Sequence, residues 1–298
     1  MARLLLLLLG ALLLGCAGRQ VPFGPYSAAA LSPRTKIFLV AGGVEVANFA
    51  AEVVAQRRLW LARGVAPDEI ACYWAQPGVA ELRACYPASA ALLRAHLRQQ
   101  AARPLPYLYL YVTSHGDADI LPVHVPKDSL LPGEREFFDQ TVIQLGAGVG
   151  RGVLPGPLAQ AMRSGADPHD LVLSPTFLRA LLHLFPATMP KLVVLQACHS
   201  GGFLADARPE RRSQAITDVP GLTAIASARF DRTSFGCESG ADMTYFGEIY
   251  LRLLARSPAA DPHAVAWPAL FAALAAEVAA RERAIDVRAS LPVLFIHP

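Results

Sequence analysis

Four short apolar runs, each halted by small or polar residues, constrain this chain more than any other feature. KIFLVA at 36–41 stops at Gly42-Gly43, and YLYLYVT at 107–113 stops at Ser114-His115-Gly116-Asp117. KLVVLQ at 191–196 stops at Ala197-Cys198-His199-Ser200-Gly201-Gly202, and LTAIAS spans 222–227. Runs that stay apolar on consecutive positions, rather than alternate ones, read as strands covered on both faces. Helical spacing lies between them. Residues 46–62 place Phe49, Val53, Val54 and Leu61 on one face, 176–185, 245–255 and 269–283 read as further helices, and 291–296 reads as a last strand. Buried strands alternating with helices predict an α/β domain, a mostly parallel sheet flanked by helices on both faces.

The ends and the middle of the chain set its organisation. Residues 1–15 carry Arg3 and then a leucine-rich stretch too short to span a bilayer as an anchor, and read as a signal peptide. Leu13-Leu14-Gly15-Cys16 resembles a bacterial lipobox, which makes Cys16 the lipidated N-terminus of the mature chain. The alternative is an ordinary secretory signal with Cys16 incidental. Ala17 follows Cys16, so the outer membrane, facing the periplasm, is the expected address. Residues 16–34 form a tether rich in Pro and Gly, and 35–298 form the folded domain, with an insertion at about 117–170 that is rich in Gly and Pro. Among 298 residues, 53% are hydrophobic and 17% charged, which excludes a disordered chain. A net charge of +3 spread along the sequence gives no nucleic-acid footprint.

Chemistry concentrates where two strands stop. One ends in His115-Gly116, the other in Ala197-Cys198. In open α/β sheets ligands sit beyond the carboxyl ends of strands, so both turns are expected to face one crevice. A thiolate is a strong nucleophile and a nearby imidazole supplies it near neutral pH. Gly116 leaves room for a carbonyl oxygen to approach a backbone N–H, and the Cys198 N–H is a candidate second donor to an oxyanion. Cys198-His199 cannot easily clasp one ion, and His124, His169, His183, His263 and His297 show no ligand spacing; no metal and no cofactor are expected. Cys72 and Cys85 are either a disulfide closing a small loop in an oxidising compartment or two buried thiols.

The pair YVTSHGD and VVLQACHSGGF resembles the clan CD cysteine peptidases, the caspase-like fold shared by legumain, caspases, metacaspases and gingipains. Two further stretches are similar to legumain: Val40-Ala41-Gly42-Gly43 through Asn48-Phe49, and Ala226-Ser227-Ala228-Arg229, Thr233-Ser234-Phe235-Gly236-Cys237 and Thr244-Tyr245-Phe246-Gly247-Glu248. The matches run collinearly from about 36 to 255. The resemblance implies a legumain-like cysteine endopeptidase acting on protein or peptide substrates. Cys198 is then the nucleophile, His115 the general base and acid, and Gly116 and Cys198 the oxyanion donors. Asn48 falls where legumain carries an asparagine that orients the catalytic histidine; read as a residue alone, it is equally a turn residue or helix cap.

The departures concern specificity. Where legumain builds its asparagine pocket from an Arg and two acids, this chain has Ala50, His199 and Glu248. With Ser227, Thr233 and Phe235 as the expected pocket wall, Glu248 alone implies a preference for a basic residue at the cleavage site. A transpeptidase or ligase passing the acyl group to an amine, and a non-catalytic peptide-binding lipoprotein, are the competing functions.

Overall fold

The computed structural model describes residues 31–43, 47–75, 85–118, 141–146, 165, 171–204, 214–237 and 242–298. The signal peptide, Cys16 and most of both the tether and the 117–170 insertion lie outside the described residues.

The main sheet has seven strands: β1 (Ile37–Ala41), β2 (Ile70–Trp74), β3 (Tyr86–Pro87), β4 (Leu108–Thr113), β8 (Lys191–Gln196), β9 (Leu222–Ala226) and β10 (Val293–Ile296). Their spatial order is β10-β9-β8-β4-β1-β2-β3, and every neighbouring pair is parallel except β10 with β9. Three short strands, β5 (Gly116–Asp117), β6 (Val142–Gln144) and β7 (Val172–Leu173), form a separate antiparallel sheet. The crossovers are helical: α1 (Ala47–Ala62), α2 (Ala90–Ala101), α3 (Pro175–Leu182), α4 (Tyr245–Arg256) and α5 (Trp267–Ala284).

The alternation of side chains along each strand splits the core in two. Phe38, Val40, Leu108, Leu110, Val112, Val193 and Leu195 meet α2 and α3 through Leu93, Leu97, Leu178 and Leu181. Ile37, Leu39, Tyr109, Tyr111, Leu192 and Val194 meet α1, α4 and α5 through Val53, Trp60, Phe246, Tyr250 and Trp267. Both faces are covered, and β1, β2, β4 and β8 are buried at every position.

Local chemistry places the helix starts. Ser89, Ser174 and Thr244 cap α2, α3 and α4, their hydroxyls accepting from Leu92 N, Phe177 N and Gly247 N. Pro175 follows its cap at the first helical position, where no N–H is needed. The strands and helices read from periodicity are present, but β2 and α2 were not expected. Cys72, on β2, and Cys85, just ahead of β3, form a disulfide. That resolves the open reading of the pair and ties β2 to the segment leading into the edge strand β3.

Candidate functional site

β4 and β8 are adjacent and parallel, with Thr113 paired with Gln196 at their carboxyl ends. His115 and Cys198 each follow two residues later, so the register alone brings the two turns side by side. The Ser114 N–H donates to Gln196 O at 3.0 Å, extending the ladder into the turn. A Cβ on Gly116 would lie 2.1 Å from the Cys198 carbonyl oxygen and 3.0 Å from the Ala197 Cβ. Only glycine permits that approach. The Gln144 N–H donates to His115 O at 2.9 Å, so the small sheet braces the histidine turn from the other side. The His115 ring meets the edge of Phe49, with centroids 5.1 Å apart and planes at 86°. Both His115 and Cys198 are half-buried.

The thiol is clasped by a strap, residues 232–237. Ser234 N–H donates to Cys198 Sγ at 3.3 Å, and Sγ lies 3.5 Å from Ser234 O. Burial pushes the thiol up to about 11; the Ser234 N–H opposes that rise, and the proximity of Cys237 and Asp117 adds to it. Burial thus favours the neutral thiol over the thiolate at this position. The Cys198 backbone N–H lies close enough to its own sulfur to lower the thiol's pKa slightly against the effect of burial. His199 sits in the left-handed region at φ 59°, its N–H donating to Arg232 O at 2.8 Å and its Nδ1 2.9 Å from Phe230 O.

Other expected site residues are placed differently. The Asn48 Nδ2 donates to Gly236 O at 2.6 Å, so this side chain holds the strap; Phe49, its neighbour, is what touches His115. Ser227 is fully buried, and its hydroxyl bridges Ala197, accepting from the N–H at 3.0 Å and lying 3.1 Å from the carbonyl. It supports the Cys198 turn from behind and is not a surface offered to a ligand. Thr233 is exposed and Phe235 half-buried on the strap, where the Tyr245 N–H donates to Phe235 O. Ala50 is buried in the core against α1's neighbours. His199 turns its ring to Phe230 O, as above.

Glu248 is corrected most. It is exposed on α4, in a groove shared with Arg252 and with Glu277 and Arg281 of α5. Thr244 caps the helix and Gly247 faces inward, which carries position 248 about 100° around the axis, away from α1. That groove holds two acids and two arginines and is lined by neither Cys198, His115 nor His199, so the charge argument for a basic cleavage-site residue loses its footing.

Three contributors had no role in the sequence reading: Ser234, which acts through its backbone, Phe49, and Glu52. Glu52 is fully buried on α1; it accepts from Tyr111 Oη (2.7 Å), Thr244 N (2.9 Å) and Thr244 Oγ1 (2.7 Å), and its Oε2 lies 2.6 Å from Thr113 Oγ1. Among the described residues, no three His, Cys, Asp or Glu side chains are grouped to hold a metal ion.

No protein-family model matches the chain, and no curated protein does. Solved structures do. The chain is similar to a protein from Geobacter sulfurreducens at 14% identity and a TM-score of 0.50, covering 88% of this chain and 93% of that one. It is similar to caspase-1 from Spodoptera frugiperda at 13% identity and a TM-score of 0.50, covering 88% and 85%. Likeness at such identity concerns architecture. The mostly parallel sheet with helices on both faces is a caspase-like α/β fold.

Proposed function

We propose that the protein is a cysteine endopeptidase in which Cys198 attacks the scissile carbonyl and His115 carries the protons. The observation that supports this reading is the contact of the two turns, with Gly116 pressed on the Cys198 carbonyl. A histidine and a cysteine delivered to one end of a sheet by neighbouring strands match the requirements of nucleophile and base.

The buried neutral thiol shapes the mechanism. With the pKa of Cys198 pushed up to about 11, no standing thiolate is poised at pH 7. Deprotonation accompanies substrate binding: His115 takes the Sγ proton as sulfur bonds to the carbonyl carbon, then returns it to the departing amine. The N–H groups of Gly116 and Cys198 receive the oxyanion. Water, deprotonated by His115, cleaves the thioester and regenerates the thiol. A natural substrate of protein or peptide class enters across the open end of the sheet.

The test is labelling by a peptidyl acyloxymethyl ketone. Wild-type protein takes one equivalent at Cys198, and Cys198→Ala takes none while keeping its circular dichroism spectrum. Equal labelling of the variant overturns the reading. Lipidation of Cys16 and an outer-membrane address belong to the same proposal, supported by the Leu13–Cys16 sequence. Cys16→Ala then releases the chain from the membrane fraction or blocks its processing, and a soluble wild-type protein with an unmodified N-terminus overturns it.

A further inference from the structure

Glu52 reaches the nucleophile through a chain of side chains that the reaction itself does not use. Thr113 Oγ1 lies 2.6 Å from Glu52 Oε2 and 2.8 Å from Gln196 Oε1. Gln196 Nε2 lies 3.4 Å from Ser234 Oγ, and the Ser234 N–H donates to Cys198 Sγ at 3.3 Å. Thr113 and Gln196 are the paired last residues of β4 and β8, directly beneath the two reactive turns. Every side chain in the chain is buried except that of half-buried Cys198. We propose that Glu52 is a positioning residue, acting through Thr113 and Gln196 to fix Ser234, whose backbone holds the Cys198 sulfur for attack.

Proton counting supports a directed chain. The threonine hydroxyl has one hydrogen and faces two acceptors. Both contacts are satisfied when Glu52 is a protonated carboxyl that donates to Thr113 Oγ1. The threonine hydrogen then goes to Gln196 Oε1, and Gln196 Nε2 donates to Ser234 Oγ. Around Glu52 the groups supplied by β4 and α4 are Tyr111, Thr113 and Thr244, with no cation among them; Asp117 and Cys237 lie near the sulfur end, and His115 is on the adjoining turn. A carboxyl buried without a cation favours its neutral form, which is the donating form the chain needs. Closeness also speaks for design: a Cβ on Gly247 would sit 2.2 Å from the Glu52 carboxyl. The first turn of α4 packs directly on this group.

The inference rests on Cys198 as nucleophile, but its test reads thiol chemistry and needs no substrate. The pH-rate profile of iodoacetamide alkylation is followed at Cys198 and Cys237 separately by peptide mass spectrometry. Thr113→Val, which removes the link and keeps the shape, is expected to slow Cys198 about tenfold at pH 8 and to move its profile to higher pH, because the N–H that stabilises the thiolate is no longer held. Cys237 keeps its rate. Thr113→Ser and Glu52→Gln, which keep a donor to the next link, stay within about threefold of wild type. If Thr113→Val does not fold, Gln196→Met breaks the next link and is read the same way. Rates for Cys198 within about twofold of wild type, or Cys198 and Cys237 rising together as in general loosening, overturn the proposal. A protein that shows these shifts yet cleaves nothing would refute the peptidase reading alone.

Discussion

The two faces of the sheet are built from different materials. Against α2 and α3 the contact is leucine, valine and phenylalanine, with few buried polar links, such as His96 bonded to Tyr73 and Gln100 bonded to Ser32 O. Against α1, α4 and α5, three polar residues at helical spacing, Asn48, Glu52 and Gln56, are each at most 1% exposed. They bond to Gly236 O, to Tyr111, Thr113 and Thr244, and to Tyr109 Oη respectively. Hydrocarbon faces tolerate small shifts, because dispersion has no direction. A hydrogen-bonded face fixes register, since each link has its own length and angle. The strap that clasps Cys198 leans on the second face, where position matters.

The largest expected contrast comes from truncating one residue on each face. Glu52→Ala leaves the Tyr111 hydroxyl and both donors of Thr244 buried without an acceptor and costs about 4 kcal/mol in urea unfolding. Leu97→Ala on the other face creates a cavity and costs about 3 kcal/mol. The pair separates further by function: Leu97→Ala keeps the alkylation rate of Cys198, and Glu52→Ala lowers it. If both lower it equally, the faces do not differ in the way argued here.

Proton linkage gives the faces opposite signs. Burial holds the Glu52 carboxyl above its ordinary 4.5, so folding favours its protonated form. Its contribution is full below about pH 4.5 and is lost as pH rises through the raised folded value. On the leucine side, Arg179 holds Asp218 down to about 2 from an ordinary 3.8. That contribution is present above pH 3.8 and lost as pH falls towards 2. Urea unfolding at pH 3, 5 and 7 checks both. Glu52→Gln gains on wild type as pH rises, and the deficit of Asp218→Asn closes as pH falls. Asp218 is 47% exposed, so its share is a fraction of a kcal/mol after screening.

The smallest effect belongs to the outside of the same helices. Arg252 and Glu277 pair across α4 and α5 at the surface. Arg252→Ala is expected to change stability by less than about 0.5 kcal/mol, with alkylation of Cys198 unchanged. A larger loss would mean that the groove beside Glu248 is coupled to the site.

The strands that stop at His115 and Cys198 were legible because unbroken apolar runs ended by glycine and polar residues have few other readings. β2 was not, since Ile70–Trp74 carries Cys72 between two alanine-flanked positions and follows a Pro-Asp-Glu turn. α2 is rich in alanine, arginine and glutamine, and its apolar face is only Leu93 and Leu97 with alanines. The polar stripe of α1 reads as a solvent face by ordinary helical logic. What buries it lies elsewhere in the chain: Tyr109, Tyr111 and Thr113, at alternate positions of β4, turn hydroxyls towards it. Ser234 was illegible for another reason, because a backbone N–H leaves no mark in side-chain identity.

The distances along the chain between these partners have a consequence for birth as well as for the finished molecule. Asn48 bonds to a carbonyl 188 residues later, and Glu52 to a threonine 192 residues later. At ribosomal speeds of about 5–20 residues per second, Glu52 waits about 10–40 s after emerging before its acceptor sites meet their donors. During that interval β8 and the strap that clasps the Cys198 sulfur arrive late, so the nascent chain carries its histidine turn long before its cysteine turn. The pocket around that sulfur is thus assembled only once residues far towards the C-terminal end have been made.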